Sequence, residues 1–333
     1  MIKLNKKSKI YILCPASIPT GGPESIHLLC EKLLENGLNA YIVYNHHSYP
    51  GGRGHPGHGV IDRSYVWDKY IGKEGKHPEY KKYNTQSIDH IEDNKNNLLI
   101  SPEIFLNSLE KFNNIQKSIW WLASRIEDDG VYNPNKWFNS DENVYHFHNS
   151  YFAEYMLRSL PYFSDSNIYQ LQTYVNSDFG NSNNKKNIIS YNPKKGFEYT
   201  KQIIENCDRK IEFQPIENME RGEVIQTLQH SKVYIDFGHH PGRERMPREA
   251  ALCGCCIITG FRGSSQFFKD VPIPSQYKFC INPISLRDII NTIQDCVYNY
   301  ETNIENFKHY KRVLENNHLQ FNIDVDNIFG SYV

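Results

Sequence analysis

The stretch from Lys232 to Gly260 constrains this chain more than any other. Lys232–Phe237 (KVYIDF) is an apolar run of strand length that breaks at Gly238. A basic loop rich in Gly and Pro follows and carries Arg243, Arg245 and Arg248. Pro247 suits the first turn of a helix, where its missing N–H leaves no bond unmade. Glu249 comes next, then a small-residue helix Ala250–Cys253, a stop at Gly254 and a second apolar strand, Cys255–Thr259. Gly260–Ser265 (GFRGSS) is a further glycine loop bearing Arg262. Strand, cationic loop, helix N-terminus and strand in this order predict an α/β layout whose loops hold an anionic nucleotide.

The same rhythm extends over the chain. Lys9–Cys14 reads as a strand, Pro15–Pro23 (PASIPTGGP) as a loop, and Glu24–Asn36 as a helix with Ile26, Leu29, Cys30, Leu33 and Leu34 on one face. Ala40–Tyr44 completes a βαβ unit, although Gly21-Gly22 lacks the G-x-G-x-x-G spacing of a dinucleotide fingerprint. Residues 45–95 show little periodicity, and His46, His47, His55 and His58 lack metal-ligand spacing, so the segment reads as a solvated loop placed to serve as an acceptor-binding flap. Further strands are expected at Asn97–Ser101, Ser118–Ala123 and Asn143–His148, with helices at Ile104–Phe112 and Tyr151–Leu160. Asp178–Lys186 (DFGNSNNKK) is the most polar stretch in mid-chain and reads as a linker. After it come strands Asn187–Tyr191 and Lys210–Phe213 and helices Phe197–Asn206, Glu220–His230, Leu286–Tyr298 and Thr302–Asn316.

At 333 residues the chain is long enough for two domains of about 150 residues each. The expected division is a first domain at 1–177, a linker at 178–186, a second domain at 187–300 and a helical segment at 301–333 that packs back on the first domain. A net charge of −1 gives no global electrostatic case for nucleic acid or an anionic membrane, so an anion site must be local. The only apolar run near the N-terminus, Ile10–Cys14, is too short for a signal peptide, and no run approaches a membrane span. The eight cysteines are scattered; Cys253–Cys256 spells C-x-x-C without a second pair, which favours core packing in a reducing cytoplasm over metal.

Three elements together carry a resemblance. Gly21-Gly22-Pro23 precedes an amphipathic helix, Lys194-Lys195-Gly196 follows a strand, and Pro247-Arg248-Glu249-Ala250-Ala251-Leu252-Cys253-Gly254 precedes another. Their order over residues 9–300 resembles the GT-B glycosyltransferases, and most closely the nucleotide-sugar-dependent "glycosyl transferases group 1", which are family-4-like and retaining. The resemblance implies an α/β fold of two Rossmann-like parallel-sheet domains facing across a cleft, the second holding the donor and the first the acceptor. By the same resemblance Lys195 matches the lysine that contacts the donor diphosphate, and Glu249 matches the second glutamate of a pair, which holds the ribose. The first glutamate of that pair falls at Pro241 or Gly242, with Glu244 displaced from it, and Asn192-Pro193 stands where the family has an arginine. Arg243 and Arg245 are expected to replace the lost cation.

The candidate donor-binding set is therefore Gly22, Lys194, Lys195, Arg243, Arg245, Arg248, Glu249 and Arg262. Fixed cations and helix N-terminal amides can neutralise a departing diphosphate, so neither metal nor cofactor is expected. Taken alone, Lys194-Lys195 is an ordinary solvated turn, Glu249 an acid favoured in a first helical turn, and Arg262 a turn residue. In the first domain Glu103, Arg125 and His148 fall at the C-terminal ends of strands, where open α/β sheets present ligand groups. Glu103 and His148 are the candidate catalytic residues, as acceptor-side base or as stabiliser of charge on the sugar. Trp120 and Trp121 alternate across one strand, so one is expected to face the core, with sugar stacking by the other as the lesser reading.

The expected activity is transfer of a sugar from a nucleotide-diphosphate donor, UDP by default ahead of GDP, to a glycan or lipid-linked acceptor in surface-polysaccharide assembly. The expected setting is cytoplasmic, with room for peripheral association at the inner face of the membrane, and oligomeric state stays open. One rival is an epimerase or hydrolase of nucleotide sugars, for which Glu244, His239 and His240 are the available acid–base groups. The other is a non-catalytic sugar-binding subunit, which draws on the absent first glutamate.

Overall fold

The computed structural model describes residues 2–45, 71–72, 75–124, 144–159, 165–176, 179 and 184–330. His46, His47, His55, His58 and Arg125 lie outside the described residues. The chain forms two compact units: Met1–Thr173 with Leu319–Val333, and Tyr174–His318.

Unit 1 is built on β1 (Lys9–Pro15), α1 (Gly21–Glu35), β2 (Asn39–Asn45), β3 (Ile71–Gly72), β4 (Leu98–Pro102), β5 (Gln116–Trp121), β6 (Val144–His148), α2 (Tyr151–Ser159) and β7 (Ile168–Gln170). The sheet order is β3-β2-β1-β4-β5-β6-β7, parallel throughout except for β3 against β2. A parallel sheet is covered on both faces, and its strands read as continuous apolar runs rather than alternating ones. That explains Trp120 and Trp121: they point to opposite faces, yet both are buried. Trp120 Nε1 donates to the Leu171 carbonyl at 3.0 Å and Trp121 Nε1 to His146 Nδ1 at 3.1 Å, so neither ring is offered to a sugar.

Unit 2 contains β8 (Lys186–Tyr191), α3 (Phe197–Asn206), β9 (Glu212–Pro215), α4 (Arg221–His230), β10 (Ser231–Asp236), α5 (Arg245–Leu252), β11 (Cys256–Gly260), β12 (Lys278–Phe279) and α6 (Leu286–Tyr298). Its sheet order is β12-β11-β10-β8-β9, all parallel. Helices α3 and α6 pack together, as do α4 and α5, which is the two-faced layering that right-handed crossovers impose. In α6, Ile289, Ile290, Ile293, Cys296 and Val297 are buried at helical spacing, so its bounds were legible from periodicity. Among the described residues no helix is long and apolar enough to cross a membrane.

Where element bounds depart from expectation, side chains explain most of it. The strand expected at Lys210–Phe213 begins at Glu212 because the Asp208 carboxylate accepts from Lys210 N at 2.9 Å, closing a turn over its first residues. The helix expected at Ile104–Phe112 is a 3₁₀ run, Glu103–Lys111, kinked at Phe105 (φ −117°, ψ 27°). The single helix expected at Thr302–Asn316 is broken into Tyr300–Asn303, a 3₁₀ turn Ile304–Phe307, and Lys308–Glu315. Asn303 lies at that break, its side chain tied to Tyr277 Oη and the Asp295 carboxylate, which competes with a continuing helix. A last helix, Asn317–Phe329, ends the described chain. β3, β7 and β12, of two or three residues, carry too little pattern to be anticipated.

Candidate functional site

In unit 2 the chain leaves β8 toward β9 on one side and reaches β10 on the other. The C-terminal ends of β8 and β10 therefore diverge at a switch point, where open α/β sheets hold their ligands. Lys194 and Lys195 sit in the loop after β8; Asn192 shapes it, its side chain accepting from Lys194 N at 3.0 Å and its carbonyl from Lys195 N at 3.2 Å. Gly196 then enters α3 in the left-handed region (φ 64°). A Cβ built there would lie 2.6 Å from the Phe237 carbonyl carbon, and one at Gly238 would lie 2.6 Å from Lys195 Cβ. Glycines on both sides thus let the two loops touch, main chain to main chain.

The loop after β10 is tied in turn to the loop after β11. His240 N donates to the Arg262 carbonyl at 3.3 Å, Ser264 N to the His240 carbonyl at 2.8 Å, and Ser264 Oγ to Gly242 O at 2.6 Å. Arg262 itself is exposed beside this junction. Lys195 Nζ meets Glu244 Oε2 at 2.5 Å, which brings the β8 loop to the N-cap of α5. Glu249 is fully buried and accepts from Arg245 Nε on one oxygen and from Arg221 Nη1 at 2.6 Å on the other.

The arginines divide into two groups. Arg245 keeps 26% of its side-chain surface and Arg221 32%, enough to meet a ligand. Arg243 and Arg248 are buried. Arg248 donates to the carbonyls of Glu244 (3.1 Å) and Arg243 (2.7 Å), so it holds the loop's own backbone. Burial first, and the Arg243 charge second, push its guanidinium down to about 9. Arg243 Nη2 lies 2.9 Å from the Asn317 side-chain oxygen once that amide faces it.

At the end of β10 lies a pair not anticipated from sequence. Asp236 ends β10, and its Oδ1 is 3.0 Å from Gly238 N and 3.3 Å from His240 Nε2; both side chains are buried. Burial works to raise the Asp236 carboxyl, but the His240 ring, the Lys195 charge and the Gly238 amide hold it below the usual range. An Asp inside the apolar run KVYIDF was the available signal. Arg221 was missed as well; a cation as the first residue of a helix opposes the macrodipole, and that anomaly was its signal.

Unit 1 has its own switch point, between β1 and β4. The loop after β1 is pinned by Tyr80, whose hydroxyl contacts the carbonyls of Thr20 (2.8 Å) and Ile18 (3.1 Å), and by Ser17 N donating to Gly75 O at 2.7 Å. Gly22 lies in the first turn of α1; a Cβ there would meet only Leu122 Cδ1, at 3.8 Å, so the fold does not itself demand glycine. Glu103, at the end of β4, is buried and accepts from Leu122 N at 3.1 Å. His148, at the end of β6, is buried too; Nδ1 lies 3.2 Å from Ser150 O and Nε2 4.0 Å from Glu154. Burial lowers the His148 pKa, and Glu154 opposes that shift. Asn149 Nδ2 reaches Leu122 O at 3.2 Å, so the chain segments bearing Glu103 and His148 meet at Leu122, just past β5. Among the described residues no group of three or more His, Cys, Asp or Glu is arranged to hold a metal ion.

No protein-family model matches the chain, and no curated protein sequence matches it. Solved structures do. The Anabaena protein HepE, crystallised with UDP-glucose, is 10% identical and superposes with a TM-score of 0.65 over 97% of this chain and 99% of its own. A glycosyltransferase from Rickettsia africae is 13% identical, with a TM-score of 0.61 over 98% of both chains. Sucrose-phosphate synthase of Thermosynechococcus elongatus is 12% identical, with a TM-score of 0.61 over 98% of this chain and 100% of its own. At such identities the likeness is one of fold: the two α/β units match the GT-B fold.

Proposed function

We propose that the protein is a glycosyltransferase whose second unit binds a nucleotide-diphosphate sugar at the β8/β10 switch point and passes the sugar to a glycan or lipid-linked acceptor. The observation that carries this reading is the convergence of Lys195, Arg245 and Arg221 around Glu244 and Glu249 beside a glycine-to-glycine loop contact. Such a site offers fixed cations to a diphosphate as its glycosidic bond breaks, with no reorganisation at the moment of reaction. UDP is the preferred nucleotide, in keeping with the UDP-glucose held by HepE. Surface-polysaccharide assembly is the preferred context, and the neutralising charges are assigned to side chains rather than metal. Glu103 and His148 remain the proposed residues of the acceptor side; their burial in unit 1 makes their reach to a substrate the first thing to test.

Titration with UDP and GDP, followed by donor turnover with and without an acceptor glycan, tests the reading. Binding of neither nucleotide overturns it. Turnover to an epimer, or to free sugar with no dependence on acceptor, favours the rival chemistry, for which Asp236 and His240 would be the groups to mutate.

Two substitutions sharpen the donor side. Lys195→Ala removes a side chain that keeps 26% exposure and makes one ion pair, so its melting temperature is expected to change by only a degree or two. Its UDP affinity is expected to fall by about tenfold or more, the loss of one charge-assisted contact. Glu244→Gln acts in the opposite sense. Glu244 occupies Lys195 Nζ at 2.5 Å, where a phosphate would compete with it. Freeing the lysine is expected to tighten UDP binding by about threefold to fivefold, as a partly exposed pair is worth under about 1 kcal/mol. Calorimetric titration reads both.

A further inference from the structure

We infer that Arg221, which belongs to none of the loop motifs, is an anion-binding residue of the donor site and that buried Glu249 is the positioning residue that aims it. The inference rests on the donor-site reading and adds a ligand from a different helix. Arg221 opens α4 after β9, the strand beside β8, so it and Lys195 both follow the carboxyl ends of neighbouring parallel strands. Its Nη1 reaches 2.6 Å to Glu249 on α5, whose other oxygen takes Arg245, and the α5 N-cap Glu244 takes Lys195. The contacts fall into two groups, Arg221–Glu249–Arg245 and Lys195–Glu244, joined through the backbone where Glu244 and Arg245 begin α5.

Neutralising Glu249 does not account for this arrangement. One guanidinium offsets one carboxylate, and each further charge drawn toward a buried site costs desolvation. Arg245 already supplies that offset to Glu249, so Arg221, with 32% of its side-chain surface in solvent, is held there with charge to present outward. The guanidinium of Arg221 is also fixed from a second side: it lies over the Phe179 ring, 5.2 Å from its centroid. A planar fork, held by a carboxylate and a ring, matches phosphate geometry as a mobile lysine does not. The chemistry it would recognise is a phosphate of the donor diphosphate.

The test compares wild type, Arg221→Gln and Arg221→Lys for UDP and uridine affinity, by calorimetry or by competition against a labelled nucleotide. Arg221→Gln is expected to lose about tenfold in UDP affinity, with uridine affinity unchanged. Arg221→Lys keeps the charge and is expected to recover part of the loss. Melting curves of all three confirm that folded protein is compared. Equal losses for UDP and uridine, or no loss for either, overturn the inference while leaving the donor site in place. A wild-type protein that binds neither UDP nor GDP overturns the donor-site reading first, and this inference with it.

Discussion

Glu249→Ala is expected to lower both stability and nucleotide affinity, which separates the structure's account of this residue from the account given by sequence. An acid in the first turn of a helix is worth less than about 1 kcal/mol, and its loss should barely move a melting curve. In the structure the Glu249 side chain is wholly buried and both its oxygens are engaged, by Arg245 and Arg221. Truncation leaves two guanidiniums facing each other with no anion between them. Removing one partner of a fully buried pair costs about 3–5 kcal/mol. Here both arginines keep about a quarter to a third of their side-chain surface in water, so screening brings the expected loss to about 2–3 kcal/mol. Thermal melts should therefore shift down by about 5–10 °C. Glu249→Gln retains the shape and one good acceptor, and is expected to lose about half as much stability while still weakening UDP binding. A Glu249→Ala protein that melts like wild type would show that the carboxylate does not hold the arginines.

The sequence made the βα rhythm legible because parallel strands and amphipathic helices leave different apolar periods. α3 and α6 fell where expected to the residue, since Ile203 or Ile289, Ile293 and Cys296 recur on one buried face. Charged and glycine-rich loops were legible as loops, and the order of their motifs pointed to the GT-B fold. What pairs with what inside those loops was not legible. Arg221 and Glu249 are 28 residues apart, Lys195 and Glu244 are 49 apart, and local pattern does not report contacts made only when two crossovers bring helices side by side. Nor does composition distinguish a ligand-facing arginine from Arg248, whose guanidinium is spent on backbone carbonyls. The need for glycine at 196 was hidden for the same reason, because the atoms that exclude a side chain there belong to the loop after β10.

Gly196→Ala tests that contact and is expected to be strongly destabilising. Two effects combine. The residue sits at φ 64°, which any L-residue other than glycine enters at a cost of about 1 kcal/mol. Its Cβ would also lie 2.6–2.7 Å from the Phe237 carbonyl carbon and oxygen and from Gly238 N, all main-chain atoms at the end of β10. No rotamer change relieves such a clash; one of the two loops must move. The combined loss is expected to reach about 3–4 kcal/mol. Gly37→Ala supplies the control: it too has positive φ (77°), yet nothing lies within 4 Å of the added Cβ, so only the conformational cost applies. The difference between the two melts isolates the loop contact. Movement of the β8 loop also displaces Lys195 from its place beside the end of β10, so UDP affinity of folded Gly196→Ala should fall toward that of Lys195→Ala. Equal melting shifts for Gly196→Ala and Gly37→Ala would mean that the loops after β8 and β10 do not touch, and would leave the donor site without the frame that brings its cations together.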